Sequence, residues 1–435
     1  LKCVGSKPFY FSPVLHIAMG TNRIPLQHLL SCIVLLGVGM IMIDNLLLQS
    51  SLGSSPMGLV PAVTRNAAER HTDDAQTSRD SGMHFIWVSD CSEYQAWQSY
   101  TLLWTIYEAQ GADASVTRLI SGCSAEERAK LQQQHLLLFR EPRRPKLFFS
   151  EKYIRHEELN DTYPPYNRPH SIAAWVKTSP VHPDTWVVLL DPDMLMIAPL
   201  QLPSAGSRKD EDVLYHGQLP FEKAVRLPAL GQQYRYLGAR WDKASLNLTD
   251  ICERHEACLS MDAEEMSEFF SVGPPWIMRF KDLQRAAPIW CDFVPRIRKQ
   301  YRQLIAEMYA YSLAFASIGV RHALYEHYVV SYPNTPVGQQ AWPWLDSEVL
   351  ADPCSRVSNP GGKLPAFIHY CEIYHSGEWY FMKRDVPHDA MLSCSSPLLA
   401  DPPKDLLQRA RSDAKAEENA QGGAQEWALH GKRQA

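Results

Sequence analysis

The chain has 435 residues, 45% of them hydrophobic and 21% charged, with a formal net charge of −5. This is globular composition, in a chain too long for a peptide hormone or a scaffold held by disulfides alone. The slightly acidic balance leaves no basic excess to neutralise a nucleic-acid backbone, which excludes general nucleic-acid binding.

The first element in chain order is the uncharged, mostly apolar run 29–43 (LLSCIVLLGVGMIMI). Extended back to Ile24 it has about the twenty residues that cross a bilayer core. Lys2, Lys7 and Arg23 precede it, and no Lys or Arg follows until Arg65. The positive-inside rule then predicts a cytosolic tail (1–23), a signal anchor (24–43) and a luminal remainder. A cleaved secretory signal is the alternative, and it sends the chain to the same compartment. Residues 44–82 are rich in Ser, Ala, Gly, Asp and Thr and read as a flexible stem.

From residue 83 to 399, strand and helix patterns interleave. Residues 84–89 (HFIWVS) read as a strand, and 93–110 as a helix ending at Gly111. A β-branched strand over 115–120 stops at Gly122, and 185–190 (TWVVLL) reads as a strand buried on both faces. Helices follow over 283–303 and 304–318, the first capped or kinked by Pro288 and Pro295. This order predicts an α/β fold, a mostly parallel sheet flanked by helices in one domain. Residues 400–435 read as a disordered tail.

Ten cysteines are present. Cys3 and Cys32 fall on the tail and anchor, which leaves eight in an oxidising lumen, with Cys252 and Cys258 the best local pair. No CxxC…CxxC pattern occurs, which argues against structural zinc. Asn160 and Asn247 begin sequons, expected on surface loops.

The sharpest motif is Asp191-Pro192-Asp193, directly after the apolar strand. Residues i and i+2 of an extended chain face the same side, so both carboxylates converge at a strand's carboxyl end. Open α/β sheets bind ligands there. Two carboxylates suit a hard divalent cation that bridges a diphosphate, Mn²⁺ or Mg²⁺. The plain alternative is a turn, since Asp and Pro are ordinary turn residues.

Six stretches, in order, carry a resemblance: TRLISG (117–122), YPPYNRPHSIAAW (163–175), VVLLDPDM (187–194), VGPPWIM (272–278), EMYAY (307–311) and FIHYC (367–371). The chain resembles the plant and algal hydroxyproline O-arabinosyltransferases and peptidyl serine α-galactosyltransferases, as a less characterised branch. The resemblance implies a single GT-A-like domain behind a type II Golgi anchor, in the cis-Golgi or the endoplasmic reticulum. It implies a retaining transferase that uses a UDP-sugar and Mn²⁺ or Mg²⁺. The sugar is arabinofuranose or galactose, and the acceptor a hydroxyproline or serine hydroxyl of a secreted Hyp-rich polypeptide.

On this resemblance Asp191 and Asp193 hold metal and diphosphate, Asp193 with a catalytic role. His369 is a third ligand or a core histidine, an imidazole favouring Mn²⁺. Arg168 forks onto a phosphate and Asn167 bonds the nucleotide, unless Asn167-Arg168-Pro169 only starts a helix. Arg118 contacts the diphosphate or is a solvated charge. In a loop fixed by Pro274 and Pro275, Gly273 lets the backbone approach a ligand, and Trp276 stacks on a sugar face or fills the core. Glu307, a carboxylate on an apolar helix, contacts the sugar or its transition state, or only favours the helix dipole. Tyr311 lies above it and Trp175 in the core. Asp282, Arg296, Arg298, Lys299 and Arg302 read as solvated helix charges. A luminal scaffold that binds sugar or peptide without catalysis is the rival reading.

Overall fold

A computed structural model describes residues 82–386, apart from 140–142, 205, 210–214, 216, 218, 235–245, 332–341, 343, 346–363 and 377–378. The expected cytosolic tail, anchor, stem (but for Gly82) and C-terminal tail lie outside these residues, as do Cys3, Cys32, Cys354 and Cys394. Among the described residues no helix is long and apolar enough to cross a membrane.

The chain opens with strand β1 (Met83–Asp90), whose middle is buried. Ser92 caps helix α1 (Glu93–Gln110) by accepting from the Gln95 N–H, and Gly111, at φ 113°, ends it. Strand β2 (Ser115–Ser121) follows, then helix α2 (Ala125–Leu138), started by a Ser124/Glu127 capping box. Next come β3 (Lys146–Ser150), α3 (Asn167–Thr178) and β4 (Trp186–Leu190). A three-residue strand, β5 (Met194–Met196), stands just beyond Asp193. The second half adds β6 (Ala229–Gln233), β7 (Val272–Arg279), α4 (Phe280–Gln300), α5 (Ala306–Ser317), β8 (His322–Tyr325), β9 (Val329–Val330) and β10 (Phe367–His369).

Seven described strands form the central sheet in the order β8-β6-β7-β4-β1-β2-β3. β7 is antiparallel to both neighbours, and the other six strands share one direction. The largely parallel sheet is as expected. β4 sits at its centre, which is why Val187 to Leu190 are apolar without alternation, and all are fully buried. One core packs α3, α4 and α5 on one face, with Ile86, Leu119, Trp175, Leu189, Trp290 and Tyr311. A second packs α1 on the other, with Phe85, Trp87, Tyr100, Leu103 and Leu190.

Three local expectations change. α4 begins three residues early and runs through both Pro288 and Pro295. The Gly273-Pro274-Pro275 segment is the start of strand β7 and not a loop. Arg298 is buried at 7% exposure and Asp282 at 6%, so neither is a solvated charge; Arg296 pairs with Asp292 and Glu253, while Lys299 and Arg302 are exposed. The expected disulfide Cys252–Cys258 is formed. A second, Cys91–Cys123, joins the chain just past the carboxyl ends of β1 and β2. Both sequon asparagines are exposed as expected, Asn160 at φ 43° in a tight turn and Asn247 just before a short helix, which it caps by accepting from the Thr249 N–H.

Candidate functional site

Asp191 and Asp193 leave the central strand at its carboxyl end, and the chain then turns directly into β5. β10 pairs antiparallel with β5, placing His369 opposite Met194, and the Tyr370 N–H donates to the Asp193 carbonyl at 3.1 Å. This pairing carries a residue 176 positions distant in sequence onto the two carboxylates, as (369 − 193) counts. The ligand atoms of Asp191, Asp193 and His369 all lie within 4.8 Å of one another.

The carboxylates divide their oxygens between two tasks. Asp191 Oδ1 accepts from Arg168 Nη2, and Asp193 Oδ2 accepts from Lys383 Nζ. The other oxygens face the imidazole: His369 Nε2 is 3.2 Å from Asp193 Oδ1 and 3.8 Å from Asp191 Oδ2. Ligand atoms around a small divalent cation at about 2.1 Å stand about 3 Å apart, and two carboxylate oxygens with one imidazole nitrogen form a donor set suited to Mn²⁺. The residues therefore fit the expected ion. His369 Nδ1 lies 3.4 Å from the Tyr234 hydroxyl, the kind of outer contact that fixes a ligating ring.

Charge is dense around this group. Burial raises the Asp193 carboxyl, but His369 and Lys383 outweigh it and hold Asp193 well below the usual carboxylate range. Burial likewise lowers His369, but Cys371 and Asp193 reverse it, and the imidazole stands well above its ordinary value.

Arg168 joins Asp191 to Glu307. Its Nη1 donates to Glu307 Oε2 at 3.1 Å while its Nη2 holds Asp191, and its guanidinium lies 5.1 Å over the Trp276 ring. The Glu307 side chain is 3% exposed, and burial pushes its carboxyl up to about 7, against the pull of Arg168 and with the push of Asp191. Arg168 thus stands between Glu307 and the cluster of Asp191, Asp193 and His369.

The remaining candidate residues have partners within the protein. Arg118 is 2% exposed on the α1 face of the sheet, where its Nε donates to Ser89 Oγ at 2.9 Å and its guanidinium covers Tyr100. Arg168 and Glu307 rise on the opposite face, so Arg118 is not beside them. Trp276 is fully buried, stacked on Tyr311 at 4.5 Å, and offers no face to a sugar. Gly273 does allow a close approach, but by Tyr234: an added Cβ would fall 2.1 Å from that ring. The glycine thus makes room for the tyrosine that reaches His369. Asn167 Oδ1 is occupied, accepting from the Tyr153 N–H at 2.7 Å. The helix start is also real, with Pro169 at its third position and Trp175 buried against His84 and Phe280. The Tyr311 hydroxyl meets His322 Nε2 at 3.0 Å.

Lys383 and Tyr234 carry no signal in the sequence. Lys383 lies in a turn after a short hairpin strand (Trp379–Phe381), and no local pattern marks it.

No protein-family model matches the chain. Among solved structures, the chain is similar to the WbbM bifunctional glycosyltransferase, at 11% identity and TM-score 0.36, over 68% of this chain and 47% of that one. The galactosyltransferase LgtC in complex with donor and acceptor sugar analogues is similar at 12% identity and TM-score 0.33, over 75% of this chain and 99% of that one. Among curated proteins, it is 22% identical over 327 residues to a peptidyl serine alpha-galactosyltransferase of Arabidopsis thaliana. That alignment takes in 74% of this chain but spans only about a third (34%) of the relative's length. The chain is thus similar, over about three quarters of its length, to one of the kinds of protein that the six sequence stretches resemble.

Proposed function

We propose that the chain is a metal-dependent glycosyltransferase with a GT-A-like domain. It takes arabinofuranose or galactose from a UDP-sugar and delivers it, with retention, to a hydroxyproline or serine hydroxyl of a secreted Hyp-rich polypeptide. It works in the Golgi membrane, or in the endoplasmic reticulum, as a single-pass type II protein. The relative named above, a plant peptidyl serine alpha-galactosyltransferase, supports this reading. The observation that carries it is the division of carboxylate oxygens. One oxygen of each Asp is held by a cation, and the other two converge with His369 Nε2.

Asp191, Asp193 and His369 would hold Mn²⁺, which when bound neutralises charge building on the departing nucleoside diphosphate. Lys383 and Arg168 orient the carboxylates and present cationic donors to the phosphates. Glu307 holds the Arg168 fork. Among these residues none stands as a free general base. A front-face path, in which the leaving phosphate oxygen takes the acceptor proton, needs none.

The test is turnover of a UDP-sugar panel by the purified full chain, with the product read by mass spectrometry. Activity that appears with Mn²⁺, vanishes with chelator and is lost in Asp191→Asn and Asp193→Asn supports the reading. Full activity in either variant contradicts it, and absence of any UDP affinity favours the scaffold.

A further inference from the structure

Helix α5 carries Glu307 but cannot cap itself. Its N-cap residue is Ile305, which has no side-chain oxygen to accept from the orphan N–H groups of the first turn. The acceptor comes instead from Tyr163, far away in sequence. The Glu307 N–H donates to the Tyr163 hydroxyl at 3.1 Å, and that hydroxyl donates to the Leu304 carbonyl. On its other side the Glu307 carbonyl accepts from Trp290 Nε1 at 3.0 Å. The peptide groups flanking this carboxylate are therefore held by two aromatic side chains.

Tyr163 is itself held. The Arg298 guanidinium lies 4.1 Å over its ring, and Tyr166 meets it edge-on at 5.3 Å. Arg298 forks onto Asp161 with Nε–Oδ2 at 2.8 Å and Nη2–Oδ1 at 2.7 Å, and its Nη1 donates to the Gln303 carbonyl at 3.3 Å. Tyr166 completes the pair by donating to Asp161 Oδ2 at 3.0 Å. Asp161 and Arg298 are 5% and 7% exposed. A buried ion pair of this quality is a poor source of stability beside apolar packing, but a good way to specify one arrangement. What it specifies is the α4–α5 corner from which Glu307 reaches Arg168.

We propose that Tyr163 is a positioning residue for the metal group, acting through Glu307 and Arg168 on Asp191, with the Asp161–Arg298 pair setting Tyr163. The proposal rests on the reading of Asp191, Asp193 and His369 as metal ligands. It adds a second tier of residues, Tyr163, Asp161 and Arg298, outside the proposed ligand set. Tyr163→Phe removes one oxygen and keeps the ring under Arg298. Arg298→Lys keeps the charge and loses the fork.

The experiment measures Mn²⁺ affinity of the full chain by paramagnetic resonance, in the wild type, Tyr163→Phe, Arg298→Lys, Glu307→Gln and the Tyr163→Phe/Glu307→Gln double variant. Amide hydrogen exchange over residues 304–310 is followed in parallel. The expected result for Tyr163→Phe is about tenfold weaker Mn²⁺ binding, at the low end for an outer-shell loss, with faster exchange over 304–310. Arg298→Lys should move both in the same direction by less. In the Glu307→Gln background, Tyr163→Phe should change Mn²⁺ affinity by less than about twofold, because the route through Glu307 is already cut. Unchanged affinity in Tyr163→Phe overturns the proposal. So does an equal loss in both backgrounds, which marks a general structural role. If the wild type takes no Mn²⁺, the metal reading falls by itself. Exchange then decides: unchanged protection over 304–310 overturns the capping role of Tyr163, and lost protection sustains it.

Discussion

Two ion clusters of this molecule are built on different principles, one fully buried and one at the rim with Arg168 and Asp191 half-buried. At the α4–α5 corner, one acid meets one base in a two-pronged contact, and Arg298 holds Asp161 below the usual carboxylate range. At the sheet rim, Asp191 and Glu307 share the single guanidinium of Arg168. There burial wins, and Glu307 is pushed up to about 7. The first cluster satisfies itself and has no charge to offer a ligand. The second leaves one oxygen of each Asp directed at His369 and keeps a buried carboxyl whose ionisation is resisted, unbalanced electrostatics of the kind that cluster at functional sites.

This contrast is open to attack from both ends. Asp161→Ala strips the counter-charge from a buried guanidinium and should cost about 3–5 kcal/mol of stability, read by denaturant unfolding. A loss under 1 kcal/mol would make the two clusters alike. Asp193→Asn should cost about 4 kcal/mol of barrier, about a thousandfold in UDP-sugar turnover, with the fold retained. The next effect depends on pH. The Glu307 carboxyl is raised from 4.5 to about 7, so the folded state resists its ionisation. The group costs nothing while it is protonated in both states, below pH 4.5. The cost grows as pH rises between the two values, and above pH 7 it reaches about 3 kcal/mol. Glu307→Gln should therefore stabilise the chain at pH 8 relative to the wild type and leave it unchanged at pH 4. Thermal melts at the two pH values check this. Arg168→Lys keeps one charge but cannot bridge Asp191 and Glu307 at once, and should weaken Mn²⁺ binding about tenfold.

Local pattern makes part of this molecule legible from its sequence. The α1 helix has the boundaries its capping signals imply, because Ser92 and Gly111 act within a few residues of themselves. β4 and the two carboxylates beyond it follow from an unbroken apolar run with a Pro behind it. The rim that these carboxylates share with Arg168 depends on α3 starting where Asn167-Arg168-Pro169 signals it. What stays hidden in the sequence rests on distance along the chain. Arg298 meets Asp161 across 137 positions and Lys383 meets Asp193 across 190, so a helix-face pattern shows the one as solvated and gives no sign of the other. Arg118 misleads for a related reason. A charge in a strand shows its position along the sheet but not its face, and here the face is the one covered by α1. Gly273 does mark a close approach, but the approaching group is Tyr234 from the neighbouring strand's end, which only the pairing of β6 with β7 reveals.

The most direct single measurement is calorimetric titration of UDP into the full chain, with and without Mn²⁺, for the wild type and the Asp191→Asn/Asp193→Asn double variant. Saturable UDP binding that requires Mn²⁺ in the wild type and is absent in the double variant is the result expected of a metal-held nucleotide. UDP binding of equal strength in both proteins, or indifferent to Mn²⁺, would contradict it.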